Sequence, residues 1–460
     1  MSGSIADLRK SIKGSVCEPG DQGYDLHKWS PYSTKPSKII ITPEEIDDIS
    51  KAIKASFARS QGLPFAIRGG GHSTSTASAT EGLLIDMRRM NKIRVDEQNR
   101  IGYIQAGART HDIEVELIKY GLAACVGACS QVSIGGYTLG GGLGYSTGAY
   151  GLAADNMVSA TVVLATGEIV QASDSENPDL LWALRGAGSN FGVVAELGVK
   201  LHPQRPDVYS ISYVYLPSQL PVVVDAINEW LKVQKDNEAF QFGFSLGMDG
   251  SPYAMITGIS NSTQEEGETA YKCFVDLGPV HTTCAQIPYD KVSTQADLYN
   301  EIPGGKDTVG AHIDKFDLAQ VQKSWDAWSE LIKKAPQSLV MYEFYPYGKI
   351  ASVPLEHGAF AQRHSFITVL CLAIWTDDNF TPYIRNELLK VRRVVSRSSC
   401  EAAQESLGYP NYANLFATLN ETDEYARKLF GPNYPRLQEL KKKYDPDMVF
   451  DRWFAIRPAP

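Results

Sequence analysis

A histidine and a cysteine stand beside glycine-rich stretches of this chain, and both side chain types are nucleophiles. His72 follows three glycines in "RGGGHS" (residues 68–73), and Cys129 ends "GAC" shortly before a second run of glycines. Consecutive glycines let a backbone approach a ligand closely and aim several N–H groups at an anion such as a pyrophosphate. Turns also use glycine, and a lone histidine is more often a satisfied polar residue. The first motif alone therefore leaves ligand binding and a simple turn both open.

Two further glycine clusters bear on the choice between ligand binding and a simple turn. The run "SIGGYTLGGGLGYSTGAYG" (residues 133–151) is predicted to hold no regular helix or strand, because each glycine costs about 1 kcal/mol relative to alanine inside either. We therefore expect something to press against this backbone. The stretch "RGAGSNFGVV" (residues 185–194) misses the G-x-G-x-x-G spacing by one residue and precedes a predicted strand, which disfavours a nicotinamide dinucleotide site.

Several other kinds of site are disfavoured by the composition. The chain has no G-K-[ST] triplet, which removes a Walker-type phosphate loop, and no H-E-x-x-H motif. Cys125 and Cys129 lack a second pair of ligands at zinc spacing, so no metal site is predicted. A net charge of -9 argues against partners such as nucleic acid or an anionic membrane. Seven cysteines form an odd, thinly spread set, typical of buried thiols.

The elements around the first glycine loop indicate where it lies. Residues 42–57 predict a helix with Thr42 as its cap, Pro43 in its first turn and a buried stripe that ends at Phe57. The run "LPFAIR" after it predicts a buried strand, which places the loop at that strand's C-terminal end. Further on, "THDIEVELIKYG" predicts a helix closed by Gly121, and residues 157–172 a hairpin that turns at Thr166 and Gly167.

The chain is predicted to be mixed α+β and to divide near residue 205, where two prolines interrupt it. Residues 1–205 would form the first unit, 206–400 an antiparallel sheet flanked by helices, and 401–460 a segment that returns to the first unit. No signal peptide is read at the N-terminus, and no run of about 18 apolar residues occurs. These observations predict a cytoplasmic protein.

Taken in order, the motifs resemble the berberine bridge enzyme-like group of the vanillyl-alcohol oxidase flavoproteins. The resemblance covers most of the chain and rests on "RGGGHS", "GACSQVSIGGYTLGGGLGYSTGAYGLAADN", "DLLWALRGAGSNFGVV", "YPNY" and "KKYDPDMVF". It implies a PCMH-type FAD-binding domain of two α/β subdomains, joined to a substrate domain with an antiparallel sheet.

The resemblance also implies which residues hold FAD. In that family a histidine in the position of His72 is bonded to the 8α-methyl group of the flavin, and many members add a cysteine bonded to ring carbon 6. Cys129 matches that cysteine, which predicts bicovalent FAD, whereas Cys125 is expected to be a packed thiol. The other residues expected to contact the cofactor are Arg68, Gly69, Gly70, Gly71, Ser73, Val132, Gly135, Gly136, Gly140, Gly141, Gly142, Gly144, Gly148, Gly151, Leu152, Asp155, Asn156, Gly192, Val193, Val194, Asn411 and Tyr412.

The implied reaction is oxidation of a C–H bond, with hydride passing to the flavin and oxygen accepting the electrons to give hydrogen peroxide. Tyr409 matches a family tyrosine that serves as a base in some members, and Asn411 a residue close to the cofactor. The chain departs from the family pattern at Leu370, where members carry a polar residue, often glutamate, on the strand that ends at Trp375. Either Tyr409 works with another partner, or the substrate needs no strong base.

A neighbouring stretch, "MYEFYPYG", offers other candidates for the substrate site. If it is a strand, period-two alternation puts Glu343, Tyr345 and Tyr347 on one face and Tyr342 on the other. Their structural interpretation, as sheet aromatics and a surface acid, is equally consistent with the sequence. A phenolic base would also need its pKa of about 10 lowered by a neighbour.

Three functions fit this chain. The first is an oxidase of a small secondary metabolite that bears a phenol, amine or alcohol. A second is a cyclase or isomerase that keeps FAD without net redox chemistry. The third, an oligosaccharide oxidase, is less favoured, because sugar oxidases of this group are usually secreted and no signal peptide is read here. The expected partners are a small-molecule substrate and oxygen, and the expected assembly is a monomer or homodimer.

Overall fold

The computed structural model describes residues 5–54, 63–247, 249–364, 366–397, 399–419 and 422–460. Its strands are β1 Ser15–Cys17, β2 Ile39–Thr42, β3 Phe65–Arg68, β4 Leu83–Asp86, β5 Ile93–Asp96, β6 Ile101–Gln105, β7 Leu122–Ala123, β8 Met157–Val163, β9 Ile169–Ser173, β10 Val193–Lys200, β11 His202–Pro203, β12 Asp207–Tyr215, β13 Glu238–Leu246, β14 Pro252–Ser260, β15 His281–Pro288, β16 Gly305–Ile313, β17 Leu339–Phe344 and β18 Ile367–Trp375. Its helices are α1 Ile5–Ser11, α2 Ile46–Lys54, α3 Thr110–Leu117, α4 Ile134–Leu139, α5 Thr147–Tyr150, α6 Pro178–Ala187, α7 Leu220–Leu231, α8 Gln264–Val275, α9 Asp297–Asn300, α10 Leu318–Leu331, α11 Gly348–Ser352, α12 Thr381–Ser396, α13 Glu401–Glu405, α14 Asn414–Leu419, α15 Thr422–Phe430 and α16 Tyr434–Tyr444.

The strands form sheets that follow one another along the chain. A four-stranded sheet has the order β1-β2-β4-β3, with β2 and β3 both parallel to β4. A five-stranded antiparallel sheet has the order β5-β6-β10-β8-β9, and a seven-stranded antiparallel sheet the order β15-β12-β14-β13-β17-β18-β16. The mixed α+β class is thus confirmed. The chain passes from the second sheet to the third between Lys200 and Asp207, and the domain division near residue 205 stays a prediction.

The two faces of the seven-stranded sheet differ over its central strands, where one face is aromatic and packed into the main core. Phe240, Phe242 and Phe244 alternate along β13 and pack with Tyr342 and Phe344 of β17 in the core that also includes residues of α7, α10 and α12. Because successive side chains point to opposite faces, the residues between them point away from this core. This second face therefore carries Gln241 and Glu343, which lie opposite each other in the register.

The helix predicted over residues 42–57 begins later than the sequence indicates. Thr42 is not its cap but the last residue of β2, where it pairs with Ser15, and α2 begins at Ile46. The carboxylate of Asp48 accepts the N–H group of Glu44 at 3.0 Å and holds the intervening residues in a bend. Phe57 lies outside the described residues.

The second glycine cluster also differs from its prediction. Gly135 and Gly136 lie inside α4, and Gly148 lies inside α5, so the expectation of no regular helix is wrong. Both helices are short, and each is followed directly by a glycine, Gly140 or Gly151. Four other secondary-structure predictions are confirmed. They are strand β3, the helix closed by Gly121, the β8–β9 hairpin and the strand after the third glycine stretch.

The C-terminal segment contacts the first two sheets. Phe450 packs in a core cluster with residues of β2, β3 and β4, and Arg452 donates to the carbonyl oxygen of Phe65 at 3.0 Å. Lys441 in α16 reaches the carbonyl oxygen of Asn190, just before β10, at 2.6 Å. No helix in the described ranges is both long and apolar enough to span a bilayer.

Candidate functional site

His72 lies in the loop that leaves the C-terminal end of β3, as predicted. Its ring stacks on the indole of Trp29, with centroids 4.2 Å apart and an interplanar angle of 9°. Its Nε2 atom is buried and has no hydrogen-bond partner among the described residues. Burial lowers the pKa of His72 to about 4; the Asn300 side chain opposes this shift, and the positive charge of Lys306 adds to it. The imidazole is therefore neutral near pH 7, with a nitrogen lone pair available.

Several backbone N–H groups around His72 have no hydrogen-bond acceptor among the described residues. Gly70 donates its N–H group to the hydroxyl of Ser133 at 2.6 Å. In contrast, the N–H groups of Gly71, His72 and Ser73 make no hydrogen bond within the described parts of the chain. Successive free N–H groups in a loop form a concave site for an anion. This arrangement fits the phosphate groups of a dinucleotide.

Cys129 is a free thiol at the start of the second glycine cluster. Withdrawal from water raises its pKa to about 11; the Asn300 side chain opposes this shift, and the negative charges of Glu343 and Asp297 add to it. The pKa values of Cys129 and His72 thus both respond to the Asn300 side chain, and Trp29, which stacks on His72, donates its indole N–H group to the carbonyl oxygen of Asn300 at 3.1 Å. The thiol stays protonated near pH 7 until a base removes its proton.

The glycines of the second cluster are packed against the protein itself. A side chain at Gly140 would clash with Asn411, one at Gly144 with the carbonyl oxygen of Val126, and one at Gly148 would lie 2.5 Å from the carbonyl oxygen of Asp236. At Gly136, by contrast, an added Cβ would meet nothing within 4 Å. Close packing of the chain thus explains much of the glycine density, and contact of these residues with a cofactor stays a prediction.

Tyr409 caps the same glycine loop. Its hydroxyl oxygen accepts N–H groups from Gly142 at 2.9 Å and Leu143 at 3.0 Å, and the Asn411 side-chain amide donates to it at 2.8 Å. Burial raises the pKa of Tyr409 above its usual range, and these hydrogen bonds offset only part of the shift. The lowered pKa that a phenolic base needs is therefore not found in this arrangement.

Glu343 is linked to Tyr409 through Tyr412, whose ring contacts that of Tyr409, and it is buried rather than exposed. It is 3% exposed, so its interpretation as a surface acid is wrong. Its Oε1 atom accepts the hydroxyl of Tyr412 at 2.9 Å and the amide of Gln241 at 3.1 Å, and Gln241 also donates to the hydroxyl of Tyr345 at 2.8 Å. Its Oε2 atom is buried with no partner among the described residues. Burial raises the pKa of Glu343 to about 7, and the three hydrogen-bonding neighbours oppose the shift.

Strand β18 has no carboxylate, but Glu343 places one on the neighbouring strand β17. Glu343 pairs with Thr368 in the register, and Leu370 pairs with Met341, so all four side chains share one face of the sheet. Leu370 packs in an apolar cluster that includes Met341 and the ring of Trp29. The acid is thus carried by the neighbouring strand β17, on the face that Leu370 also occupies. Tyr347, predicted beside Glu343, instead donates to the carbonyl oxygen of Gln362 at 3.1 Å.

Several other predicted site residues have structural partners. The carboxylate of Asp155 forms a buried bidentate pair with Arg363, at 2.8 and 2.7 Å. Arg68 is paired with Asp86 at 2.8 Å, and the Asn156 amide donates to nearby carbonyl oxygens. Gly192, Val193 and Val194 pack within or beside the five-stranded sheet, and Val132 accepts the N–H group of Thr110. Their contact with a cofactor stays a prediction.

Trp29, Lys306, Gln241 and Asn300 also belong to this region, although no motif pointed to them. Trp29 and Lys306 adjoin His72, and Gln241 bonds to Glu343. Gln241 had a visible signal, since it is the polar residue between buried phenylalanines in "FQFGF". Trp29 had none, because its role depends on contacts with residues that are distant in sequence.

Comparison with known proteins identifies the kind of chain that carries this site. A family model described as "FAD binding domain" matches residues 37–173, and one described as "Berberine and berberine like" matches residues 408–456. The FAD-linked oxidoreductase pgmH of Aspergillus terreus is 31% identical over 479 residues, which cover 99% of this chain and 96% of that protein.

Solved structures agree with this relationship. The 6-hydroxy-D-nicotine oxidase of Arthrobacter nicotinovorans has a TM-score of 0.84 and 25% identity, with 98% of this chain and 99% of that chain covered. A glucooligosaccharide oxidase of Acremonium strictum, with 6-S-cysteinyl, 8α-N1-histidyl FAD, has a TM-score of 0.84 at 22% identity, with 99% of each chain covered. The protein belongs to the berberine bridge enzyme-like FAD-linked oxidoreductases and is an FAD-dependent oxidase.

Proposed function

We propose that this oxidase holds FAD by two covalent bonds, through His72 and Cys129, and oxidises a small organic substrate of secondary metabolism. The observation that carries the first part is the buried Nε2 atom of His72, which has no hydrogen-bond partner among the described residues, and Cys129 is a free thiol that can supply the second bond. Both groups are nucleophiles suited to an electron-poor ring. The related glucooligosaccharide oxidase, which carries both kinds of linkage, supports the same assignment.

When bound, the isoalloxazine ring accepts a hydride from a substrate C–H bond and passes the electrons to oxygen. The chain must remove the proton of the substrate's phenol, amine or alcohol group. We assign this role to Glu343, because its free Oε2 atom and its pKa of about 7 suit a general base near neutral pH. Tyr412 and Gln241 hold the other oxygen and thereby orient the carboxylate.

Tyr409, the base predicted from the resemblance, has a different role in this proposal. Its oxygen already accepts three N–H groups, and at least one of them would have to be released before it took a substrate proton. It therefore fixes the loop at Gly142 and Leu143 and places Asn411 beside it. A cytoplasmic location and a monomeric or homodimeric state stay predictions.

The covalent attachment is tested by acid precipitation of the purified protein. We expect yellow pellets from the wild type, from His72→Ala and from Cys129→Ala, because one bond suffices to retain the flavin. The double variant is expected to release its flavin into the supernatant. Absorbance of pellet and supernatant measures the retained fraction, and flavin in the wild-type supernatant would contradict the proposal. Cys125→Ala is the matched control and should retain flavin like the wild type.

The redox chemistry is tested by mixing the holoenzyme with candidate substrates without oxygen. The panel contains 6-hydroxynicotine, a gluco-oligosaccharide and a benzylic alcohol with a free phenol. We expect a nitrogen-containing or phenolic compound to bleach the flavin absorbance, because hydride transfer reduces the ring. Admission of air should restore the colour and give hydrogen peroxide. Product formation while the flavin stays oxidised would instead support the cyclase or isomerase function.

A further inference from the structure

Trp29 stacks directly on His72, yet it precedes the region that the FAD-binding family model matches. It lies in the loop between β1 and β2. The two rings are nearly parallel, with centroids 4.2 Å apart, so the indole covers one face of the imidazole. An imidazole stacked in this way has lost most of its freedom to rotate.

Trp29 is itself held by three separate parts of the chain. Its N–H group donates to the carbonyl oxygen of Gly71, its indole N–H to the carbonyl oxygen of Asn300, and its carbonyl oxygen accepts Nζ of Lys306, each at 3.1 Å. These partners belong to the glycine loop, to α9 and to β16. The neighbouring Ser30 adds a hydrogen bond to the carbonyl oxygen of Lys306 at 2.7 Å. The indole is thus fixed relative to the loop that carries His72.

We propose that Trp29 is a positioning residue for the bond between His72 and the flavin: its fixed ring restricts the orientation of the imidazole and so favours bond formation between a ring nitrogen and the 8α-carbon. This inference rests on the proposed covalent attachment through His72. Lys306 has a supporting part, because its buried positive charge beside the stack disfavours the imidazolium form. Positioning of this kind acts on the rate of bond formation, since a misplaced nucleophile reacts far more slowly.

The bond that Trp29 assists has a defined balance. The imidazole nitrogen that carries the lone pair bonds to the methyl carbon, the other ring nitrogen gives up its proton, and the methyl carbon gives up one hydrogen. Together these losses amount to two protons and a pair of electrons. Dioxygen, the oxidant of the oxidase reaction, finally takes up both and becomes hydrogen peroxide. No further reactant is needed, so the fraction of covalently held flavin measures how well the chain positions His72.

The test measures that fraction in a Cys129→Ala background, where His72 forms the one remaining bond. Trp29→Leu removes the stacked ring, and Trp29→Phe keeps an aromatic face without the indole N–H. Each protein is purified, its total bound flavin is measured, and the protein is then precipitated with acid. We expect Trp29→Leu to lower the covalent fraction at least about ten-fold, and Trp29→Phe to restore most of it. Tyr32→Leu, an exposed aromatic of the same loop, is the matched control and should change nothing.

The same substitutions in a His72→Ala background separate positioning from general damage. There the flavin is held through Cys129, and Trp29→Leu should leave its retention unchanged. Equal retention with and without Trp29→Leu in the Cys129→Ala background would overturn the role of Trp29 alone. Loss of retention in both backgrounds would also overturn it, because the effect would then concern the whole site. Release of all flavin from the Cys129→Ala parent would instead contradict the proposed bond to His72.

Discussion

Glu343→Gln is expected to lower the rate constant of flavin reduction by about 10²- to 10⁴-fold, the usual contribution of a general base. Glutamine keeps the shape of the side chain, and its amide oxygen can still accept from Tyr412 and Gln241. It cannot act as a base, and with its oxygen at the Oε1 position its NH2 group occupies the unpartnered Oε2 position and can only donate. The loss should therefore appear in the chemical step rather than in folding or flavin content.

The rate of flavin reduction should also depend on pH, because only the carboxylate form of Glu343 can accept a proton. Burial raises the pKa of Glu343 to about 7, so the carboxylate form that accepts a proton dominates above that value. The wild-type rate should rise as pH increases through about 7 and fall below it, whereas the rate of Glu343→Gln should be low and flat. Anaerobic stopped-flow mixing with the best substrate of the panel measures both profiles.

Tyr409→Phe distinguishes the two candidate bases. The Tyr409 oxygen accepts three N–H groups, so its removal should loosen the glycine loop and weaken binding of the flavin. The rise of the flavin-reduction rate through about pH 7 should persist. If Tyr409→Phe abolishes that profile and Glu343→Gln leaves it intact, the assignment of Glu343 is wrong.

Lys441→Met is expected to lower the free energy of unfolding by about 3–5 kcal/mol, the typical cost of removing one partner of a buried ion pair. Lys441 and Asp445 are both fully buried, and their charged atoms lie 2.7 Å apart. Nζ of Lys441 also donates to the carbonyl oxygens of Asn190 and Phe450. Methionine fills a similar volume but leaves the Asp445 carboxylate buried without its counter-charge.

Urea unfolding followed by circular dichroism measures this loss. Lys442→Met is the matched control, because Lys442 is the exposed neighbour and its loss should cost no more than about 0.5 kcal/mol. Replacing both members of the pair, as Lys441→Met with Asp445→Asn, should recover part of the stability, since no uncompensated charge then remains. Equal unfolding midpoints for the Lys441 and Lys442 variants would contradict the prediction.

Strands and helices were predicted well wherever the apolar residues recur with a single clear period. The alternating stretches of β12, β13 and β14 and the hairpin at Gly167 needed only side-chain periodicity and turn chemistry. The start of α2 was wrong because the sheet took Thr42 into β2, a tertiary effect that the capping pattern does not contain. The short helices in the glycine cluster were missed because close packing of Gly135 against Ala106 and of Gly148 against Asp236 outweighs the low helix propensity of glycine.

The candidate site was predictable where it follows motifs and not where it depends on contacts between sheets. His72 and Cys129 could be named from their motifs, although their shared neighbour Asn300 could not. The alternation of "MYEFYPYG" placed Glu343 on the correct face, but its burial depends on Tyr412, 69 residues further along the chain. Trp29 is tied to Asn300 across 271 residues, a separation that no local pattern reveals.

The hydrogen bonds from Gly142 and Leu143 to Tyr409 have a consequence for biosynthesis. These partners are 267 and 266 residues apart, so the glycine loop emerges from the ribosome long before the tyrosine that caps it. At about 5–20 residues per second, the delay is on the order of ten seconds to a minute. A nascent chain thus lacks a finished cofactor site for most of its synthesis. We expect flavin attachment to be a post-translational event, and cells short of riboflavin to accumulate full-length apoprotein that is loaded later.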